Sequence, residues 1–255
     1  MKIIRNSWLI IIVAIACWQC AADFSATPDS VGGNTGIGGS LARFTIVGNF
    51  MYTVDMQTLR TFDLTQPDEP VLKHEQSVWG GVETIFPLNN FLLLGTQNGM
   101  LIYRIQADGA PEFTSNYQHV VSCDPVVANL QYAYVTLRAA GCREAVAGAA
   151  DLLEVISISN INNPVVVASY PMSEPYGLGL DGNTLFVCDG RQGVKIFDTT
   201  NPTNLRQIGR IEGFTAFDVI PLNGLLLIIG PDNIYQYDYT DLANIRKVSQ
   251  MAIGA

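Results

Sequence analysis

Apolar residues in this chain fall in short runs, each preceded by residues that favour turns. The runs 50–54, 91–94, 132–135, 184–187 and 225–229 follow the pairs Gly48-Asn49, Asn89-Asn90, Leu130-Gln131, Gly182-Asn183 and Asn223-Gly224. Runs this short, rich in aromatic and branched residues and bounded by turn formers, predict strands and not helices. A second run follows in every unit, at 59–63, 100–104, 153–157, 194–198 and 234–238. The final residues of these runs lie 41, 53, 41 and 40 apart, so a period of about 41 residues holds, with one insertion around 139–150. A short Asp, Ser or Thr then recurs with proline, as Asp63, Thr65 and Pro67 or Asp198, Thr200 and Pro202. Such side chains bond the following amides, and proline stops the strand ladder. A returning strand and a further apolar stretch make four strands per unit.

Four-stranded units of 40–45 residues are blades of a β-propeller, because one such sheet cannot hide both of its faces and must stack on neighbours around an axis. The expectation is an all-β fold: five four-stranded antiparallel blades over residues 40–255. No spare strand is available to complete a terminal blade, so the ring is expected to close by packing of blade on blade. A short strand at 24–26 could add to an outer edge.

The strand of Leu/Val-x-x-aromatic-Asp followed by Ser/Thr and spaced prolines resembles the LVIVD repeat family of bacterial and archaeal surface proteins, over roughly 40–255. Units one and four carry the pattern best. Unit two has Arg104 in place of the aspartate, and unit five has Ala243 and Asn244 but no proline. The resemblance implies a propeller displayed at a cell surface and brings no established reaction with it.

Composition agrees with a folded domain: 255 residues, 48% hydrophobic and 15% charged. With 14 Lys+Arg against 23 Asp+Glu, a formal charge of -9, the chain has no basic field for phosphates, which argues against nucleic-acid binding. The N-terminus changes the picture further. Lys2 and Arg5 precede an apolar run at 8–16 that is too short to span a bilayer and has the order of an export signal. Ala14-Ile15-Ala16-Cys17 resembles a lipobox, making Cys17 the lipid attachment residue, with Cys20 as the alternative acceptor and plain secretion after Ala16 or Ala22 as the simpler reading. Residues 1–19 are therefore read as a signal peptide. Residues 20–39, rich in Gly, form a tether that, as a flexible coil, would hold the domain roughly 25 Å from a membrane. Removing the signal takes away two cations and no acid.

Candidate chemistry is sparse. In an exported protein disulfides persist, and Cys123 with Cys142 would lie on one rim of blade three, so that a bridge pins the insertion; Cys142 with Cys188 competes, and Cys188 is otherwise a buried thiol. His74 and His119 have no ligand partners in the sequence, so no metal site is expected, and no cofactor motif stands in the chain. Glu83, Asp124, Asp181 and Asp218 lie near inner strands. Two such carboxylates about 5 Å or about 7 to 9 Å apart would serve a glycosidase, but aligning Pro87 with Pro221 matches Asp218 to Thr84 and turns Glu83 to the other face. Trp79, Tyr176, Phe214, Arg138, Arg143 and Arg191 fall on loops of one rim, an aromatic and arginine mix of the kind that anchors contacts. The same aromatics can instead fill space between blades. The sequence thus points to a non-catalytic binding or scaffold module in the bacterial cell envelope, lipid-anchored and periplasmic or surface-exposed, with a protein or glycan ligand. A carbohydrate-active hydrolase using channel carboxylates is the alternative.

Overall fold

The structure, a computed structural model, describes residues 39–118, 125–139 and 150–253. These residues form twenty strands in five four-stranded sheets and no helix. Blade one holds β1 (Phe44–Val47), β2 (Phe50–Asp55), β3 (Thr58–Asp63) and β4 (Val71–Ser77). Blade two holds β5 (Val82–Leu88), β6 (Phe91–Thr96), β7 (Gly99–Ile105) and β8 (Pro111–Gln118). Blade three holds β9 (Val126–Ala128), β10 (Tyr132–Leu137), β11 (Leu152–Ser157) and β12 (Val165–Pro171). Blade four holds β13 (Leu178–Asp181), β14 (Thr184–Cys188), β15 (Val194–Asp198) and β16 (Arg206–Ile211). Blade five holds β17 (Asp218–Leu222), β18 (Leu225–Ile229), β19 (Asn233–Asp238) and β20 (Arg246–Ala252). Each sheet is antiparallel and built from consecutive strands, with the first strand inside and the fourth outside. This is a five-bladed β-propeller.

Local chemistry repeats from blade to blade. The first hairpin needs left-handed backbone, supplied by Gly48, Asn89, Gly182 and Asn223; the two asparagines are the only described non-glycine residues at positive φ. Unit three lacks such a pair and turns differently, with Asn129 Oδ1 accepting from the Gln131 and Tyr132 amides. In all five blades the ladder between the third and fourth strands slips by one residue at the same place, Thr61/Phe62, Ile102/Tyr103, Val155/Ile156, Ile196/Phe197 and Gln236/Tyr237. A shared bulge re-aims each outer strand in the same way. After the third strand, Asp63, Asp198 and Asp238 each accept the amide and hydroxyl of the threonine two residues on. Lys73, Arg206 and Arg246 of the fourth strands complete these turns. The turn of unit five therefore forms without proline.

The core is divided into four clusters, and each fills one junction between consecutive blades. Tyr52 and Leu59 meet Leu92 and Leu94; Leu93 and Ile102 meet Ala133 and Val135; Tyr134 and Leu153 meet Leu185 and Val187; Phe186 and Ile196 meet Leu226 and Ile228. In the three middle blades the second strand is buried on both faces past its first residue. In blades one and five it is buried on alternate residues only: Tyr52 and Val54 in β2, Leu226 and Ile228 in β18. The facing sides, with Met51 and Thr53 against Leu225, Leu227 and Ile229, lack a buried cluster among the described residues. Packing between β17 and β1 is sparser than at any other junction of inner strands. Closure by packing of blade on blade is expected, and among the described residues the last junction has no buried apolar cluster of its own; the buried side chains lining it are the polar Thr45 and Asp218. The proposed strand at 24–26 lies outside the described residues.

Candidate functional site

What joins the first and last blades is polar and lies on the axis. Ser40 is buried; its hydroxyl donates to Asp218 Oδ1 at 3.2 Å and accepts the Leu178 amide at 2.7 Å. The Leu41 and Val219 amides also donate to the Asp218 carboxylate. The Ile85 amide of blade two donates to the Ala42 carbonyl at 2.9 Å. Residues 39–42 therefore tie blades two, four and five to the start of β1. Gly39 and Gly177 both press on Asp218, and a Cβ on either would collide with its carboxylate.

This segment divides the channel. On one side Gly39 and Ala42, with Thr45, Pro87, Val127, Leu180 and Pro221, line a space of about 280 Å³ that draws residues from every blade. On the other side Leu41 and Arg43, with Glu83, Thr84, Pro125, Arg138, Pro175, Tyr176 and Phe217, line a mouth of about 420 Å³. The Arg138 guanidinium lies 4.1 Å from the centre of the Tyr176 ring, which also packs on Phe217 at 4.9 Å. Tyr176 is held through its backbone, whose carbonyl accepts the Thr136 hydroxyl at 2.6 Å. Its connector is fixed from beneath by Asp189, fully buried, which accepts the Ser173 and Glu174 amides and has Lys195 Nζ 2.6 Å away. Burial raises the Tyr176 pKa, so the phenol stays neutral, and its hydroxyl donates to Glu174.

The residues selected from the sequence separate in space. Arg138 and Tyr176 meet at the mouth. Phe214 stacks on Tyr235 at 4.3 Å and belongs to the core between blades four and five. Trp79 is exposed and leans on Phe113 of β8 at 4.9 Å. Arg191 is exposed on the turn between β14 and β15. Arg143, Cys123, Cys142, Asp124, His119, Cys17 and Cys20 lie outside the described residues. Cys188 is a buried free thiol whose pKa is raised by burial. His74 sits on β4 beside Asp108.

Three of the carboxylates near the inner strands, Glu83, Asp181 and Asp218, are described, and each is engaged. Glu83 falls at a register shift in β5 and accepts from Gln97 Nε2 at 3.0 Å. Asp181 accepts the Tyr239 hydroxyl at 2.6 Å, and burial together with that bond pushes Tyr239 up to about 12. Asp218 is pushed up to about 6 by burial, against the pull of the bonds from Val219, Ser40 and Leu41. Asp218 and Thr84 hold equivalent places relative to Pro221 and Pro87. Among the described residues no group of three His, Cys, Asp or Glu could hold a metal ion. Arg43 and Leu41 were not singled out in the sequence, because they read as part of the inner strand of unit one and carry no motif.

Comparisons with known proteins bear on the fold. No family model and no curated protein matches the chain. Among solved structures it is similar to the periplasmic gluconolactonase PpgL of Pseudomonas aeruginosa, with a TM-score of 0.61 at 14% identity over 80% of this chain and 69% of that one. A protein from Lactobacillus plantarum gives 0.62 at 13% over 80% and 68%. AztD from Citrobacter koseri, without ligand, gives 0.57 at 15% over 78% and 59%. The chain thus spans between 59% and 69% of the length of these propellers. At such identities the likeness concerns the fold.

Proposed function

We propose that this chain is a binding propeller of the bacterial cell envelope, similar in its repeats to the LVIVD family, that holds a protein or glycan ligand at the mouth of its channel. The observation that carries the reading is the mouth itself: Arg138 over Tyr176, flanked by Leu41, Arg43 and Phe217, with the connector of Tyr176 braced by the buried Asp189. Aromatic and arginine side chains on a rigid support are suited to anchoring a partner. Bacterial propellers among the structural neighbours, one of them periplasmic, support the envelope location. So does the order of Lys2, Arg5, the apolar run and Cys17. No helix among the described residues is long and apolar enough to cross a membrane, and anchoring through lipid on Cys17, or on Cys20, fits that signal.

Placing a photo-crosslinking residue at Tyr176 in the full chain, expressed in bacterial cells, tests the mouth. An envelope protein or glycan adduct is expected at Tyr176 and not at Asn223 on the opposite rim. No adduct, or equal adducts at both, overturns the reading. Metabolic labelling with an alkyne fatty acid tests the anchor: label should be lost in Cys17→Ala, whereas retention reassigns it to Cys20.

Hydrolysis is the second reading, favoured by the gluconolactonase neighbour and by the carboxylate of Glu83 at the mouth. Lactone or glycoside turnover that disappears in Glu83→Gln would put this reading first.

A further inference from the structure

We infer that the junction between blades one and five is a gate, held shut by the clasp of Ser40 on Asp218 and free to open while the other four junctions stay packed. Two independent features of the ring set this junction apart. Four junctions are sealed by buried side chains, whereas the faces of β2 and β18 that look toward the fifth remain partly exposed. Between β1 and β17 lies a cleft of about 440 Å³ walled by Phe44, Ile46, Phe217, Ile220 and Ile229.

A junction with few apolar contacts opens at a low free energy compared with global unfolding. Among the described residues, what opposes opening is a small set of hydrogen bonds, from Ser40 and Leu41 to Asp218 and from Leu178 to Ser40. Each such bond contributes modestly on balance, and one to an ionised group contributes more. The strands on either side keep their own sheets and their packing on blades two and four, so opening needs no blade to unfold. The moving parts are therefore blades one and five as bodies, with residues 39–42 between them. Release of the clasp would also merge the two halves of the channel, because residues 39–42 are what divides them. The gate thus controls passage through the axis as well as access to the cleft.

Hydrogen exchange of the full chain, read by mass spectrometry, tests this. The amides bonded across the clasp, those of Leu41 and Leu178, should exchange as one group, about tenfold or more faster than those of β6, β10 and β14. Ser40→Ala should accelerate the first group further by about fivefold or more and leave the second unchanged. Uniform exchange across the blades, or a Ser40→Ala effect spread over all of them, overturns the inference. Should Ser40→Ala not fold, spin labels on the otherwise unaltered protein decide. A pair at Leu72 and Met251, across the junction, should give a broader distance distribution than a pair at Phe113 and Val165, on blades two and three. Equal widths refute the gate.

Discussion

Asp218 supplies a sharp test of how the ring is held, because its burial and its hydrogen bonds act in opposite directions. Burial raises its pKa from the ordinary 3.8 to about 6, while the Val219 amide, the Ser40 hydroxyl and the Leu41 amide pull it back. The folded state therefore keeps a proton that the unfolded chain has already released. Between these two values stability falls as pH rises, and the contribution present below pH 3.8 is gone above about pH 6. The difference corresponds to about 3 kcal/mol for the Asp218 carboxyl pushed up to about 6. Neighbouring Cys188 stays protonated throughout, since burial and the charges of Asp218 and Asp189 raise its pKa well above the ordinary value. Asp63, Asp198 and Asp238 work with the opposite sign: their threonine hydroxyls and amides hold them low, so their contribution is lost as pH falls. They titrate equally in a variant at position 218. Urea unfolding of the native protein and Asp218→Asn, followed by tryptophan fluorescence from pH 4 to 8, isolates the one group. The variant should gain about 2.5 kcal/mol on the native protein across that range, whatever offset the lost acceptor oxygen adds. A difference that is flat with pH, or that grows in favour of the native protein, would refute the reasoning.

Three further outcomes are expected. In β18, Leu226→Ala should cost about 2–5 kcal/mol because Leu226 is fully buried against blade four, whereas Leu227→Ala, facing the open junction, should cost about 1 kcal/mol or less. In β6 the adjacent pair Leu92 and Leu93 should both be costly by chemical denaturation, since both are fully buried. Asp189→Ala leaves Lys195 and two amides without their buried partner and should cost about 3–5 kcal/mol in thermal or urea unfolding. Cys188 should resist alkylation in the native protein and react on unfolding, as read by peptide mapping; ready native modification would contradict its burial.

The strands and their grouping into blades were legible in the sequence because their causes are local. Alternation of two puts Tyr52 and Val54 on one face whatever lies opposite, and Gly48, Asn89 or Asn223 turns the chain by its own backbone preference. The aspartate and threonine two residues apart, as at 198 and 200, form their turn from adjacent atoms. Arg138 and Tyr176 could be named as rim residues on the same grounds, through their loops. Their stacking at the mouth could not, nor could the separation of Phe214 into a core or of Trp79 onto a blade flank.

Tertiary structure alone decided how the ring ends. Whether five wedge-shaped sheets fill a circle depends on the volumes packed at every junction together, and no single run of residues carries that sum. The bond from Ser40 to Asp218 joins positions 178 residues apart. Nothing near either residue in the chain distinguishes it from a tether serine or a channel aspartate; only the closing of the ring brings the two within hydrogen-bond distance.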